Sequence, residues 1–149
     1  MPSTYTKLLY HIVFSTKNRL PLLGKPIRDE TFRYIAGIIS EKDADAIQIG
    51  GVDDHVHLLL RIPPTISVAD LVRRIKSNSS KWLNETRFRV HKSGWQEGYA
   101  AFSVSQSQVL RVAEYIRDQE SHHANEPFRS ELSALLRKHG IEFDEAFLE

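Results

Sequence analysis

Apolar and polar positions alternate along residues 5–16, with Leu8, Tyr10, Ile12 and Phe14 on one face and Leu9, His11, Val13 and Ser15 on the other. Alternation with period two predicts a strand, and two largely apolar faces require cover on both sides. The period changes over residues 29–42, where Phe32, Ile35, Ala36 and Ile39 mark one stripe of a helix. Residues 44–52 return to a short apolar strand, ending in Gly50-Gly51, where a backbone can bend or be closely approached. Residues 55–60 form the next strand, which Arg61 and Pro63-Pro64 end, so a hairpin joins the two.

The strongest helix spans residues 67–85, with Val68, Leu71, Val72, Ile75, Trp82 and Leu83 as its stripe. Ser67, three residues before Asp70, resembles a capping box with Asp in place of Glu. Residues 99–105 give a fourth strand, and from about residue 106 Val109, Val112, Ala113 and Ile116 recur at helical spacing. Asn125-Glu126-Pro127 breaks the chain, residues 128–139 form a short helix with Leu132, Leu135 and Leu136 apolar, and Gly140 ends it. The order β-α-β-β-α-β followed by helices predicts an α+β fold. We expect a ferredoxin-like sandwich, a four-stranded antiparallel sheet with helices on one face plus C-terminal helices. Residues 1–149 are expected to be one domain, with the C-terminal helix and a peripheral acidic tail from about residue 127.

Composition narrows the class. The chain has 149 residues, enough to bury one core. It has no cysteine, which removes disulfides and thiolate metal sites and fits a cytoplasmic protein. No run of about 18 apolar residues is present, so no membrane span is expected. The first residues lack a secretory pattern. Net charge is only +1, yet it is unevenly spread. Residues 1–94 carry 15 Lys and Arg against 9 Asp and Glu, and residues 95–149 carry 5 against 10. The first part can therefore present a basic face to nucleic acid, although a mixed solvated surface gives the same count.

Two stretches carry candidate chemistry. In Asp54-His55-Val56-His57, side chains two apart on a strand share a face. His55 and His57 then look out together, about 6.6 Å apart, while Val56 and Leu58 enter a core. Paired imidazoles on a rigid strand are two corners of a metal site, although such a pair is more often two hydrogen-bonded histidines. Asp54 can orient His55 or serve as a turn residue. His11 approaches the pair if its strand lies alongside, but a packed, hydrogen-bonded role is favoured. On the later helix, Tyr115, Gln119 and His122 share a stripe beside the apolar one. A tyrosine can be a nucleophile. A lone helical tyrosine, however, is usually a core-rim residue.

His55-Val56-His57 resembles the His-hydrophobe-His motif of HUH nucleases. Tyr115 with Gln119 resembles the small single-tyrosine HUH transposases of bacterial insertion sequences, the TnpA type. Further pieces fit in order: residues 10–19 (Tyr-His-Ile-Val-Phe-Ser-Thr-Lys-Asn-Arg), Gly50-Gly51, Lys81-Trp82, residues 95–105 from Trp95-Gln96-Glu97-Gly98 onward, and His122-His123. The resemblance runs from about Tyr5 to His123.

It implies the ferredoxin-like fold and a DNA transposase that cuts and rejoins single-stranded DNA at insertion-sequence ends through a covalent 5′-phosphotyrosine. It implies Tyr115 as nucleophile, and His55, His57 and Gln119 as ligands of Mg²⁺ or Mn²⁺. It also implies hairpin DNA ends as partner and a homodimer whose active site is shared between subunits. Lys17, Arg19, Arg73, Lys76 and Lys81 are the candidate DNA contacts, chosen by charge and position. The rival readings are a domesticated relative acting on chromosomal repeats, a non-catalytic nucleic-acid-binding module and a water-using phosphoester hydrolase.

Overall fold

The computed structural model describes residues 3–123 and 126–148; of the predicted chain break, Asn125 lies outside them. Four strands, β1 (Leu9–Ser15), β2 (Asp45–Gly51), β3 (His55–Arg61) and β4 (Ala100–Val104), form one antiparallel sheet in the order β2-β3-β1-β4. Helices α1 (Lys25–Glu41) and α2 (Val68–Thr86) connect β1 to β2 and β3 to β4. This is the ferredoxin-like topology expected from the element order. Ser67 caps α2 by accepting from the Asp70 amide at 3.0 Å, satisfying one of the unpaired donors at the helix start.

The period-two pattern sorts the sheet into two faces. Ile12 and Phe14 of β1, with Val56, Leu58 and Leu60 of β3, pack beneath Ile35, Ile38 and Ile39 of α1 and Leu71, Val72 and Ile75 of α2. The opposite face carries His11, Val13, His55 and His57. Three further helices lie beyond β4: α3 (Val109–Arg117), α4 (Gln119–His123) and α5 (Phe128–Lys138). Phe128 and Leu136 of α5 pack on Val13 and Phe102, so β1 has apolar cover on both sides. His55 and His57 do not look outward as the strand pattern alone suggests. Both are fully buried, because α3, α4 and α5 roof that face. The tail is less peripheral than expected, since Phe143 and Leu148 pack against the α5 cluster.

Gly50 pairs with His57 across β2 and β3. A Cβ at Gly50 would stand 2.1 Å from the carbonyl oxygen of Ile116. The missing side chain lets the backbone of α3 settle onto the sheet beside the histidine strand, which brings Tyr115 to the histidines.

Candidate active site

β1 lies next to β3 in register, with His11 opposite Leu59 and Val13 opposite His57. His11 Nε2 is 2.8 Å from His57 Nδ1, and the Asp54 carboxylate is 2.8 Å from His55 Nδ1. The Nδ1 side of each histidine is thus held by a neighbour, and both Nε2 atoms face the roof. Such contacts fix ring orientation and tautomer. Burial presses the pKa of His11 down to about 3, and the charge of His57 adds to that effect. Burial also opposes charge on His55, but hydrogen bonds with Asp54 and Glu131 outweigh it and hold its pKa above the ordinary value. His57 is dominated by burial and lies below its ordinary value.

The tyrosine segment is two helices, not one. The chain leaves helical geometry at Asp118, so Tyr115 rides on α3 and Gln119 opens α4. They still converge. The Gln119 amide oxygen is 3.0 Å from His55 Nε2, and its NH2 group donates to Glu131 Oε2 at 2.9 Å. The Tyr115 ring meets the edge of His57 with centroids 5.8 Å apart, and stands 4.8 Å from the ring of His122. Buried Arg28 of α1 ties this end of the site together, donating to the Asp53 carboxylate at 2.6 Å and the Glu120 carboxylate at 2.7 Å.

Two groups that the sequence reading did not single out share the site. Glu131 of α5 is 2% exposed. Its Oε1 lies 3.0 Å from His57 Nε2, 3.0 Å from His123 Nε2 and 3.3 Å from His55 Nε2. Its Oε2 accepts from the hydroxyl of Tyr115. Burial alone would raise the Glu131 pKa, but hydrogen bonds with His55 and His57 drive it far below the carboxylate range. Burial, then Glu131 itself, drive the Tyr115 hydroxyl well above the ordinary tyrosine value. A signal for Glu131 was present. With Phe128, Leu132, Leu135 and Leu136 it occupies the apolar stripe of α5, and a charge on a buried stripe requires a partner. His123 had only its place beside His122.

The donor set suits a divalent metal. His55, His57, His123 and Glu131 offer ligand atoms within 4.8 Å of one another, with the Gln119 oxygen adjacent. Cavities open on either side: one of about 730 Å³ lined by Arg19, Lys25, Arg28, Asp54 and His123, and one of about 640 Å³ lined by His11, Arg111, Tyr115, Lys138 and His139. Of the basic residues singled out for DNA, only Arg19 lines either. Lys17 is exposed in the turn after β1, and Arg73 and Lys81 are exposed on α2, under the opposite face. Lys76 donates to the carbonyls of Gln96 and Gly98 at 2.6 and 2.7 Å.

The family model described as "Transposase IS200 like" matches residues 4–119. The chain belongs to the IS200-like transposase family. Among relatives of this transposase, the transposase for insertion sequence element IS200 of Salmonella typhimurium is 28% identical over 115 residues, covering 74% of this chain and 75% of that one. The ISDra2 transposase TnpA of Deinococcus radiodurans is 26% identical over 118 residues, covering 76% and 84%. The crystal structure of a putative transposase from Deinococcus radiodurans superposes with a TM-score of 0.66 at 22% identity, over 80% of this chain and 95% of the other. A REP-associated tyrosine transposase bound to a REP hairpin gives 0.58 at 13% identity, over 78% and 68%. These two likenesses establish the fold. The IS200-like match ends at Gln119, so α5 and Glu131 lie outside it. Among the described residues no helix of this transposase is long and apolar enough to cross a membrane.

Proposed function

We propose that this transposase cuts and rejoins single-stranded DNA at insertion-sequence ends through a covalent 5′-phosphotyrosine on Tyr115, assisted by Mg²⁺ or Mn²⁺ at His55, His57 and Gln119. One observation carries the reading. A tyrosine hydroxyl, two strand histidines and a glutamine amide, drawn from two distant stretches of the chain, meet in one cluster. When bound, the ion withdraws charge from the phosphodiester and positions its phosphorus.

The chain's own residues do the rest. Asp54 and His11 orient the histidines. The phenolic oxygen of Tyr115 forms a bond to phosphorus as the bond from phosphorus to the 3′ oxygen breaks, and that oxygen takes a proton from solvent and leaves as a hydroxyl. Tyr115 starts protonated, and its hydroxyl is aimed by the Glu131 carboxylate that accepts its hydrogen bond. Its proton leaves to solvent during attack, because a carboxylate held far below its ordinary range is a poor base. The new link is itself a phosphodiester, so attack by a 3′-hydroxyl can reverse it and rejoin strands, which hydrolysis by water could not do.

Lys17 and Lys81 are exposed and can meet phosphates, whereas Arg73 pairs with Asp70 at 2.9 Å and Arg19 donates to the Leu148 carbonyl at 3.4 Å. Lys76, already engaged by two carbonyls, is the weakest of the five candidates. Hairpin DNA is the proposed partner, and the fold likeness to a hairpin-bound transposase supports it. A homodimer in the cytoplasm remains our expectation. In the single chain Tyr115 lies against His57, and in a homodimer the same seat can be filled by the tyrosine helix of the partner. A domesticated relative acting on chromosomal repeats would keep this chemistry and differ in the DNA that it cuts.

The test is a denaturing gel of the protein with labelled single-stranded DNA from the flanks of its own gene, with Mg²⁺ or Mn²⁺. A metal-dependent covalent adduct lost in Tyr115→Phe and His57→Ala is expected. Cleavage that survives Tyr115→Phe would replace the tyrosine mechanism with water attack.

A further inference from the structure

Three imidazole nitrogens converge on one carboxylate oxygen, Glu131 Oε1, at 3.0, 3.0 and 3.3 Å. Held by protons alone, that oxygen would accept from His57 and His123 while His55 Nε2 is shared between it and the Gln119 oxygen, which crowds three imidazole nitrogens round one point. Tetrahedral ligands ~2.0–2.2 Å from a shared ion stand roughly 3.3–3.6 Å from one another. The contacts to Glu131 Oε1 are close to this, and the four ligand atoms lie within 4.8 Å of one another, so a small shift of the rings seats an ion. Charge favours the same arrangement. Two neutral histidines and an amide bring no negative charge to a buried dication, and burying uncompensated charge is costly. Glu131 is the buried carboxylate among the described residues, and it lies inside the cluster.

We infer that His123 and Glu131 complete the metal centre, so that three imidazoles and a carboxylate from β3, α4 and α5 hold the ion beside Gln119. This rests on the reading of His55 and His57 as metal ligands. Both added ligands follow residue 119, beyond the family match. Helix α5 becomes a working part of the site, and the ion pins α4 and α5 to the histidine strand. Phe128, stacked on His55 with ring centroids 4.2 Å apart, seals the same junction.

The test is a titration of the full chain with Mn²⁺, reading free ion by its electron paramagnetic resonance signal and counting bound imidazoles by pulsed methods. Three coordinated imidazoles are expected in the wild type and two in His123→Ala. Glu131→Gln is expected to weaken Mn²⁺ at least 10–100-fold, with circular dichroism confirming the fold. The wild-type count needs no variant to fold. A count of two, unchanged in His123→Ala, with Glu131→Gln binding as tightly as wild type, would overturn this inference and leave the His55 and His57 reading intact. Absence of Mn²⁺ binding in the wild type would overturn both.

Discussion

The hydroxyl of Tyr115 donates to the Glu131 carboxylate, sixteen residues away and on a separate helix. On the proposed tyrosine mechanism this contact keeps the nucleophile protonated and aimed. Glu131→Gln preserves the shape and replaces a charged acceptor with a neutral one. Adduct formation in a single turnover at saturating metal is expected to fall about 10-fold, since a hydrogen bond to a charged group is worth roughly 1.5–3 kcal/mol. An unchanged rate at saturating metal would make Glu131 a bystander to positioning of the tyrosine.

Gly50 sits under Ile116, and the nearest atom that an added Cβ would strike is its backbone carbonyl oxygen. Gly50→Ala must therefore lift α3. We expect a stability loss of about 1–3 kcal/mol, as for overpacking, and loss of the adduct because Tyr115 leaves His57. Mn²⁺ affinity should stay within a few-fold, since none of His55, His57, His123 and Glu131 is on α3. Chemical denaturation, the gel assay and the metal titration separate the three effects.

Action within one chain predicts the result of mixing inactive variants. Tyr115→Phe keeps the histidines, and His57→Ala keeps the tyrosine. If each tyrosine serves its own histidines, mixing them yields no adduct. An adduct appearing on mixing would show that α3 is exchanged between subunits.

Burial holds the His11 pKa near 3, below the value of 6.5 in the unfolded chain. A depressed folded pKa means that, below pH 6.5, the unfolded chain binds a proton that the native chain refuses. Stability is full above about pH 6.5 and declines as pH falls toward 3. In chelator, the urea midpoint should follow this course. The decline should be shallower in His11→Gln, which removes the titrating group and keeps an acceptor for His57. Parallel curves for the two proteins would show that His11 is not held neutral.

Much of this was legible in residue order. Period two and period 3.6 marked the strands and helices, and Gly50-Gly51 marked a close approach that proves to admit α3. The His55 and His57 pair and the Tyr115 to Gln119 spacing pointed to one place. The rest depended on tertiary packing. The histidine face was legible but its roof was not, because α5 reaches it through contacts that no local period encodes. Glu131 looked like an ordinary helical charge until its stripe was compared with its neighbours. Lys76 looked like a free cation, and only the folded path of Gln96 and Gly98 shows its amine already engaged.

The interruption at Asp118 gives Tyr115 and Gln119 separate mountings. On one unbroken helix, any swing of the phenol would drag the amide with it. As built, α4 is moored through Glu120 to Arg28, while α3 rests on β2 through its Gly50 contact. On the proposed tyrosine mechanism, the break at Asp118 would let the phenol move with a joined strand while the histidines and Gln119 stay assembled for the next one.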